Sequence, residues 1–106
     1  MVNRGDIYLC DFGAPIGHEP GFRRPAVVVS RSELSRHCVP IVVPVTRTHR
    51  GYPTHVELDG VLPVVSYVQC ELIRAVSADR LIRPVASLDA AHLVLIEAIL
   101  RRILDI

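Results

Sequence analysis

All twelve cationic side chains of this 106-residue chain are arginines; there is no lysine. A guanidinium is a planar fork that grips two oxygens of a phosphate at once, which an ammonium cannot do. The formal net charge is only +1, so the distribution of charge says more than its sum. From His18 to Arg50 the chain carries six arginines (Arg23, Arg24, Arg31, Arg36, Arg47, Arg50) against two acids, Glu19 and Glu33. That local excess has the sign a nucleic-acid partner requires.

Within this segment several residues of types that could do chemistry lie in loops or where loops meet strands. Arg24 stands at the end of a long loop, held by the strand that follows it. Thr46 carries a hydroxyl at the mouth of a second loop, where it can donate to a phosphoryl oxygen. His18 lies inside the first loop, and an unperturbed imidazole titrates near pH ~6.5, suited to proton transfer. Arg23 and the run Arg47, Thr48, His49 and Arg50 form a basic surface that could track a phosphate backbone. Glu19 could hold the loop or Arg24 in place. His37 and His55 fall in no usable pattern. No spacing of His, Asp or Glu suggests a metal site. The three cysteines, Cys10, Cys38 and Cys70, are odd in number and include no Cys-x-x-Cys pair, which argues against a disulfide framework or zinc site. Cys10 and Cys70 lie in apolar runs, where a thiol behaves as a small buried hydrophobe.

The elements that must position these residues are mostly strands. Residues 6–12 are short, aromatic and β-prone. Residues 13–21 hold three Gly and two Pro and form a loop long for a hairpin, a length that favours function. Residues 24–30 form a β-branched buried strand. Residues 39–45 form another, with Pro40 and Pro44 pushed toward an edge or bulge because each lacks a ladder donor. A second, polar and basic loop spans 46–53. Residues 54–58 alternate and end at the turn Asp59-Gly60. A long strand is predicted over 66–76 and a short one over 81–86. The period then changes. Leu88, His92, Ile96, Ile99 and Ile103 fall on one helical stripe, widened by Ala91, Leu95 and Leu100, with His92 in the core. Ser87 or Asp89 can cap this helix, and Glu97 and Arg101 form an i,i+4 pair on its far side. Five to seven strands and one amphipathic helix make a single domain, 1–106, of the α+β class: a small, mainly β barrel or curled sheet with a helix packed on it. No apolar run reaches the ~20 residues of a membrane span, and no secretory signal opens the chain, so a cytoplasmic protein is expected.

The order of these segments resembles the MazF/PemK toxins. Arg4-Gly5-Asp6-Ile7-Tyr8 is similar to the start of that family. Gly17-His18-Glu19-Pro20-Gly21 followed by Arg23-Arg24-Pro25-Ala26-Val27-Val28-Val29-Ser30 resembles its Gly-Ser-Glu-Gln-Gly loop and the Arg-Pro strand behind it. Pro44-Val45-Thr46, Pro53-Thr54-His55-Val56, Glu71-x-Ile73-Arg74 and the ending Ile103-Leu104-Asp105 resemble further blocks in register. His18 departs from the usual Ser of the loop, Pro20 from its Gln, and Leu72 from the Gln that often follows the Glu.

The resemblance implies an SH3-like (PemK/CcdB-like) barrel with a C-terminal helix and a homodimer. It implies a type II toxin that cuts single-stranded RNA at short sequences, without a cofactor or metal, leaving 2′,3′-cyclic phosphate and 5′-OH ends. It also implies a cognate MazE-like antitoxin whose acidic tail covers the RNA site. Arg24 and Thr46 are the catalytic candidates, with Glu19 and His18 in support and Arg23, Arg47, Thr48, His49 and Arg50 on the RNA. Two other readings share the fold: a binding module without chemistry, and a CcdB-like toxin that binds gyrase. The second resembles chains ending in Trp-Gly-Ile, whereas this one has no Trp and ends Leu104-Asp105-Ile106.

Overall fold

The computed structural model describes residues 2–37 and 39–106, without the side chains of residues 35–37. Cys38 and the His37 imidazole therefore lie outside the described residues. The chain runs β1 (Asp6–Asp11), β2 (Arg23–Val28), α1 (Ser32–His37), β3 (Ile41–Thr46), β4 (His55–Leu58), β5 (Ser66–Gln69), β6 (Arg74–Ala75), β7 (Leu81–Ser87) and α2 (Ala90–Leu104). Single 3-10 turns occupy Cys70–Leu72 and Ala78–Arg80. The short helix α1 has no counterpart in the sequence reading.

The seven strands form one antiparallel sheet in the order β4-β5-β3-β2-β1-β7, with β6 added to β3 off this path. The mainly β architecture with a C-terminal helix agrees with expectation. The ladder is an open path from β4 to β7 rather than a closed barrel. β3 lies at its centre. It pairs with β2 through Ala26↔Pro44, Val27↔Val43 and Val28↔Val42. Its other side is shared: Ile41 and Val42 pair with β6, and Val45 and Thr46 with β5. Val43 and Pro44 fall between the two partners. A proline offers no N–H to a ladder, so the pairing breaks beside it. Pro44 thus marks a change of partner inside a central strand, not an edge. The same break divides the strand predicted over 66–76. After Gln69 the chain takes the turn Cys70–Leu72 and pairs again as β6 on the other half of β3.

Both faces of the sheet are covered, which explains the uninterrupted valine runs. Ile7, Val27, Val43, Val45, Val56, Leu58, Val68, Cys70 and Ile96 pack on one face. Cys10, Phe12, Ala26, Val28, Val42 and Val76 pack on the other. Helix α2 closes the first face through Ile96, with Ile99 and Leu100 partly buried beside it, while Leu95 stays exposed. Asp89 is its cap, accepting from the His92 N–H at 2.9 Å. His92 is not a core residue; its ring turns back to Asp89 Oδ1 at 2.8 Å and closes the first turn. Glu97 pairs with Arg4 at the N-terminus of the sheet rather than with Arg101. Burial pushes the Cys10 thiol up to about 11 and that of Cys70 up to about 12, so both stay protonated and inert.

Candidate functional site

Arg24 and Thr46 approach one another because of strand register. Ala26 faces Pro44 across β2 and β3. Continued by two residues beyond the last paired positions, that register puts Arg24 and Thr46 at the same end of the sheet. Both line one cavity of about 530 Å³, together with Arg23, Arg47, Arg83 and Ser66. Its apolar wall is Leu62, Pro63, Val64, Pro84 and Val85. Among the described residues no acid lines this cavity, and Arg24, Arg47 and Arg83 have no carboxylate partner. Arg23 has only a long, exposed contact to Asp11, at 3.9 Å. Four guanidinium groups around one concave surface make a strong anion-attracting field.

Arg24 is held on two sides. Its Nε donates to the Gly21 carbonyl at 3.3 Å and its Nη1 to Gln69 Oε1 at 3.3 Å. Gly21 can present that carbonyl because it carries no side chain: a Cβ there would lie 2.6 Å from the ring of Pro15. Just before Arg23, Phe22 adopts a left-handed φ of 58°. Its N–H donates to Gly13 at 2.6 Å and its carbonyl accepts from Phe12 at 2.9 Å, closing the neck of the loop. An aromatic residue in this conformation is strained, and such strain gathers where the surroundings over-determine the backbone.

Thr46 is oriented by the loop that follows it. Its Oγ accepts from the Thr48 N–H at 3.2 Å, leaving the hydroxyl proton free to donate. His49 rests against Tyr67, with ring centroids 5.1 Å apart, and Tyr67 is the register partner of Thr46. Arg50 is exposed and does not line the cavity.

His18 and Glu19 are not brought to this site. They line a separate cavity with Pro20, Glu71 and Arg74. Glu19 accepts from the Ile16 N–H at 2.9 Å, so it braces its own loop and not Arg24. Two residues the sequence reading missed, Gln69 and Arg83, belong to the Arg24 cavity or touch Arg24 directly. Gln69 had a faint signal, a polar residue inside an apolar strand; Arg83 had none. Two of the family-like blocks also meet. Thr54 and His55 from one bind Glu71 from the other, with Thr54 Oγ donating to Glu71 Oε1 at 2.8 Å. Among the described residues no three His, Cys, Asp or Glu side chains group closely enough to hold a metal ion.

A small β domain with an arginine-lined cavity at one end of its sheet has the charge and the donors to attract an anion. Residues 3–104 match the family of PemK-like, MazF-like toxins of type II toxin–antitoxin systems, and the chain belongs to that family. The endoribonuclease MazF9 of Mycobacterium tuberculosis is 32% identical, over 100% of this chain and 98% of that one. The endoribonuclease EndoA of Bacillus subtilis is 29% identical over 84% and 82%. MazF of Deinococcus radiodurans superposes with a TM-score of 0.89 at 28% identity, covering 99% of this chain and 97% of that one. A mycobacterial endoribonuclease solved with its cognate antitoxin gives a TM-score of 0.84 at 26% identity, covering 100% and 97%.

Proposed function

We propose that this chain is the toxin of a type II toxin–antitoxin pair and a metal-independent, sequence-specific endoribonuclease. Its substrate is single-stranded RNA, cleaved to 2′,3′-cyclic phosphate and 5′-OH ends. The observation that carries this reading is the meeting of Arg24 and Thr46 in a cavity lined by four arginines and, among the described residues, no acid. The relatives named as endoribonucleases favour it over a gyrase-binding or purely RNA-binding module.

The reaction needs no external nucleophile. The RNA 2′-oxygen attacks the adjacent phosphorus, the O2′–P bond forms and the P–O5′ bond breaks. The proton lost from O2′ balances the one gained by O5′. Charge builds on the phosphoryl oxygens on the way, and fixed donors aimed at them lower the barrier. Arg24, restrained at Nε and Nη1, supplies such donors. Thr46 supplies a hydroxyl proton to the same group. An arginine retains its proton at neutral pH, so charge stabilisation is its natural part. Arg23, Arg47 and Arg83 take neighbouring phosphates. His49 with Tyr67 offers an aromatic surface to a base.

We assign this toxin a homodimeric state, supported by Ile82 and Val85 exposed on the edge strand β7 and by exposed Val64 and Val65. Its cognate antitoxin would cover the arginine cavity with an acidic tail. Light scattering at micromolar concentration reads the dimer. The chemistry is tested by incubating end-labelled single-stranded RNA with the protein in EDTA. Fragments with cyclic-phosphate ends are expected; intact RNA, or cleavage that needs added Mg²⁺, overturns the reading.

A further inference from the structure

Gln69 ends β5, and the residue is only 7% exposed. Its register partner on β4 is His55, whose imidazole is itself buried and bound to Glu71 at 3.0 Å. Partners directly opposed in an antiparallel pair share a face of the sheet, so a held ring flanks the amide. Toward the cavity, Oε1 accepts from Arg24 Nη1 at 3.3 Å. A guanidinium only donates, so the amide must turn its oxygen to it.

We infer that Gln69 is a positioning residue for the RNA cleavage proposed above: its amide oxygen fixes the plane of the Arg24 guanidinium without neutralising its charge. Of the five N–H donors of Arg24, one goes to Gly21 and one to Gln69. Three remain for an anion, one on Nη1 and two on Nη2. A carboxylate in place of Gln69 would hold the fork equally well, but would cancel part of the charge that the phosphoryl oxygens need. A neutral acceptor separates orientation from charge. This choice suits a site whose function is to stabilise developing negative charge.

The inference rests on the ribonuclease reading only for its kinetic arm. Gln69→Met keeps most of the volume and removes the acceptor; Gln69→Leu serves the same end with a different shape. A misaligned catalytic group costs up to about 10²-fold. Single-turnover cleavage should therefore slow by about 10- to 100-fold, while binding to an RNA with a 2′-deoxy scissile nucleotide stays within about threefold. On an Arg24→Lys background the same substitution should cost almost nothing further, because the fork it aligned is gone. The second arm needs no activity. NMR relaxation of the Arg24 Nη1–H group, the one that donates to Gln69, should report an ordered group in the wild type, a mobile one in Gln69→Met, and recovered order in Gln69→Glu. Wild-type rates in Gln69→Met, equal slowing on both backgrounds, or unchanged Nη1–H order would each overturn the assignment. A wild type that cuts no RNA would sink the ribonuclease reading and leave the NMR arm to decide for Gln69.

Discussion

His55 Nε2 lies 3.0 Å from Glu71 Oε2, joining β4 to the turn after β5, with the imidazole side chain 3% exposed and the carboxylate 32%. Burial alone would raise the Glu71 carboxyl. The hydrogen bonds from Thr54 and a backbone N–H and the contact with His55 outweigh it and hold the carboxyl below its ordinary value of 4.5. A depressed carboxyl stabilises the fold above its unfolded pKa, and that contribution is lost as pH falls through the folded value. Thermal stability should therefore fall below pH 4.5 more steeply in the wild type than in Glu71→Gln, which has no proton to take up. Glu71→Ala should cost about 1–3 kcal/mol at neutral pH, since a buried ring then loses its acceptor while Nδ1 already has no partner among the described residues. Parallel pH profiles for wild type and Glu71→Gln would remove this pair from the stability account.

Phe22 is 67% exposed and left-handed, so its side chain returns little for the strain of its backbone. The left-handed conformation costs a non-glycine residue about 1–2 kcal/mol, and glycine gives back part of that as unfolded-state freedom. Phe22→Gly should thus stabilise by about 0.5–1 kcal/mol, read as a higher midpoint in urea with an unchanged slope. A lower midpoint would mean that the ring makes contacts in solution worth more than the strain.

Local pattern was enough to find the strands and the C-terminal helix, since alternation and the 3.6-residue period report burial directly. Arg24 and Thr46 came forward only through the family-like Arg-Pro and Pro-x-Thr blocks; by local pattern alone they are a surface arginine beside a proline and a threonine at a strand end. Pairing was hidden. Pro44 looked like an edge signal, yet it breaks the ladder on one side only of a central strand. His18 and Glu19 looked close to Arg24 because they precede it in the chain. The bond from Phe22 to Gly13 closes the loop at its neck, and Glu19 binds back to Ile16, so the loop tip lines a different cavity, shared with residues 71–75. Gln69 and Arg83 come from distant strands, and only the folded register brings them to the site.

The same geometry sorts the basic residues. Arg47 and Arg83 line the cavity and Arg50 does not. For single-stranded RNA each neutralised phosphate contributes about 0.7 to the log–log salt slope. Arg47→Gln and Arg83→Gln should each flatten the slope by about that amount, and Arg50→Gln by less. An unchanged slope in Arg83→Gln would take β7 off the RNA path.

The proposed catalytic pair, Arg24 and Thr46, carries the sharpest expectation. Arg24→Lys keeps the positive charge but loses the planar fork that Gly21 and Gln69 hold. Phosphate attraction survives, so binding to a 2′-deoxy substrate analogue should stay within a few-fold of wild type. Charge stabilisation depends on donors fixed at the right places, and losing one typically costs about 10²–10³ in rate. Thr46→Val keeps the shape and removes the hydroxyl that Thr48 orients, and should slow cleavage by no more than that. Neither side chain is among the buried core residues, so both variants should keep the wild-type unfolding midpoint. In growing cells both should relieve growth arrest. Single-turnover cleavage and analogue binding, measured side by side, separate the two contributions of Arg24. A wild-type cleavage rate in Arg24→Lys would reduce Arg24 to a phosphate anchor. The charge-stabilising part would then pass to Arg47 or Arg83, the remaining cavity cations without a carboxylate partner among the described residues.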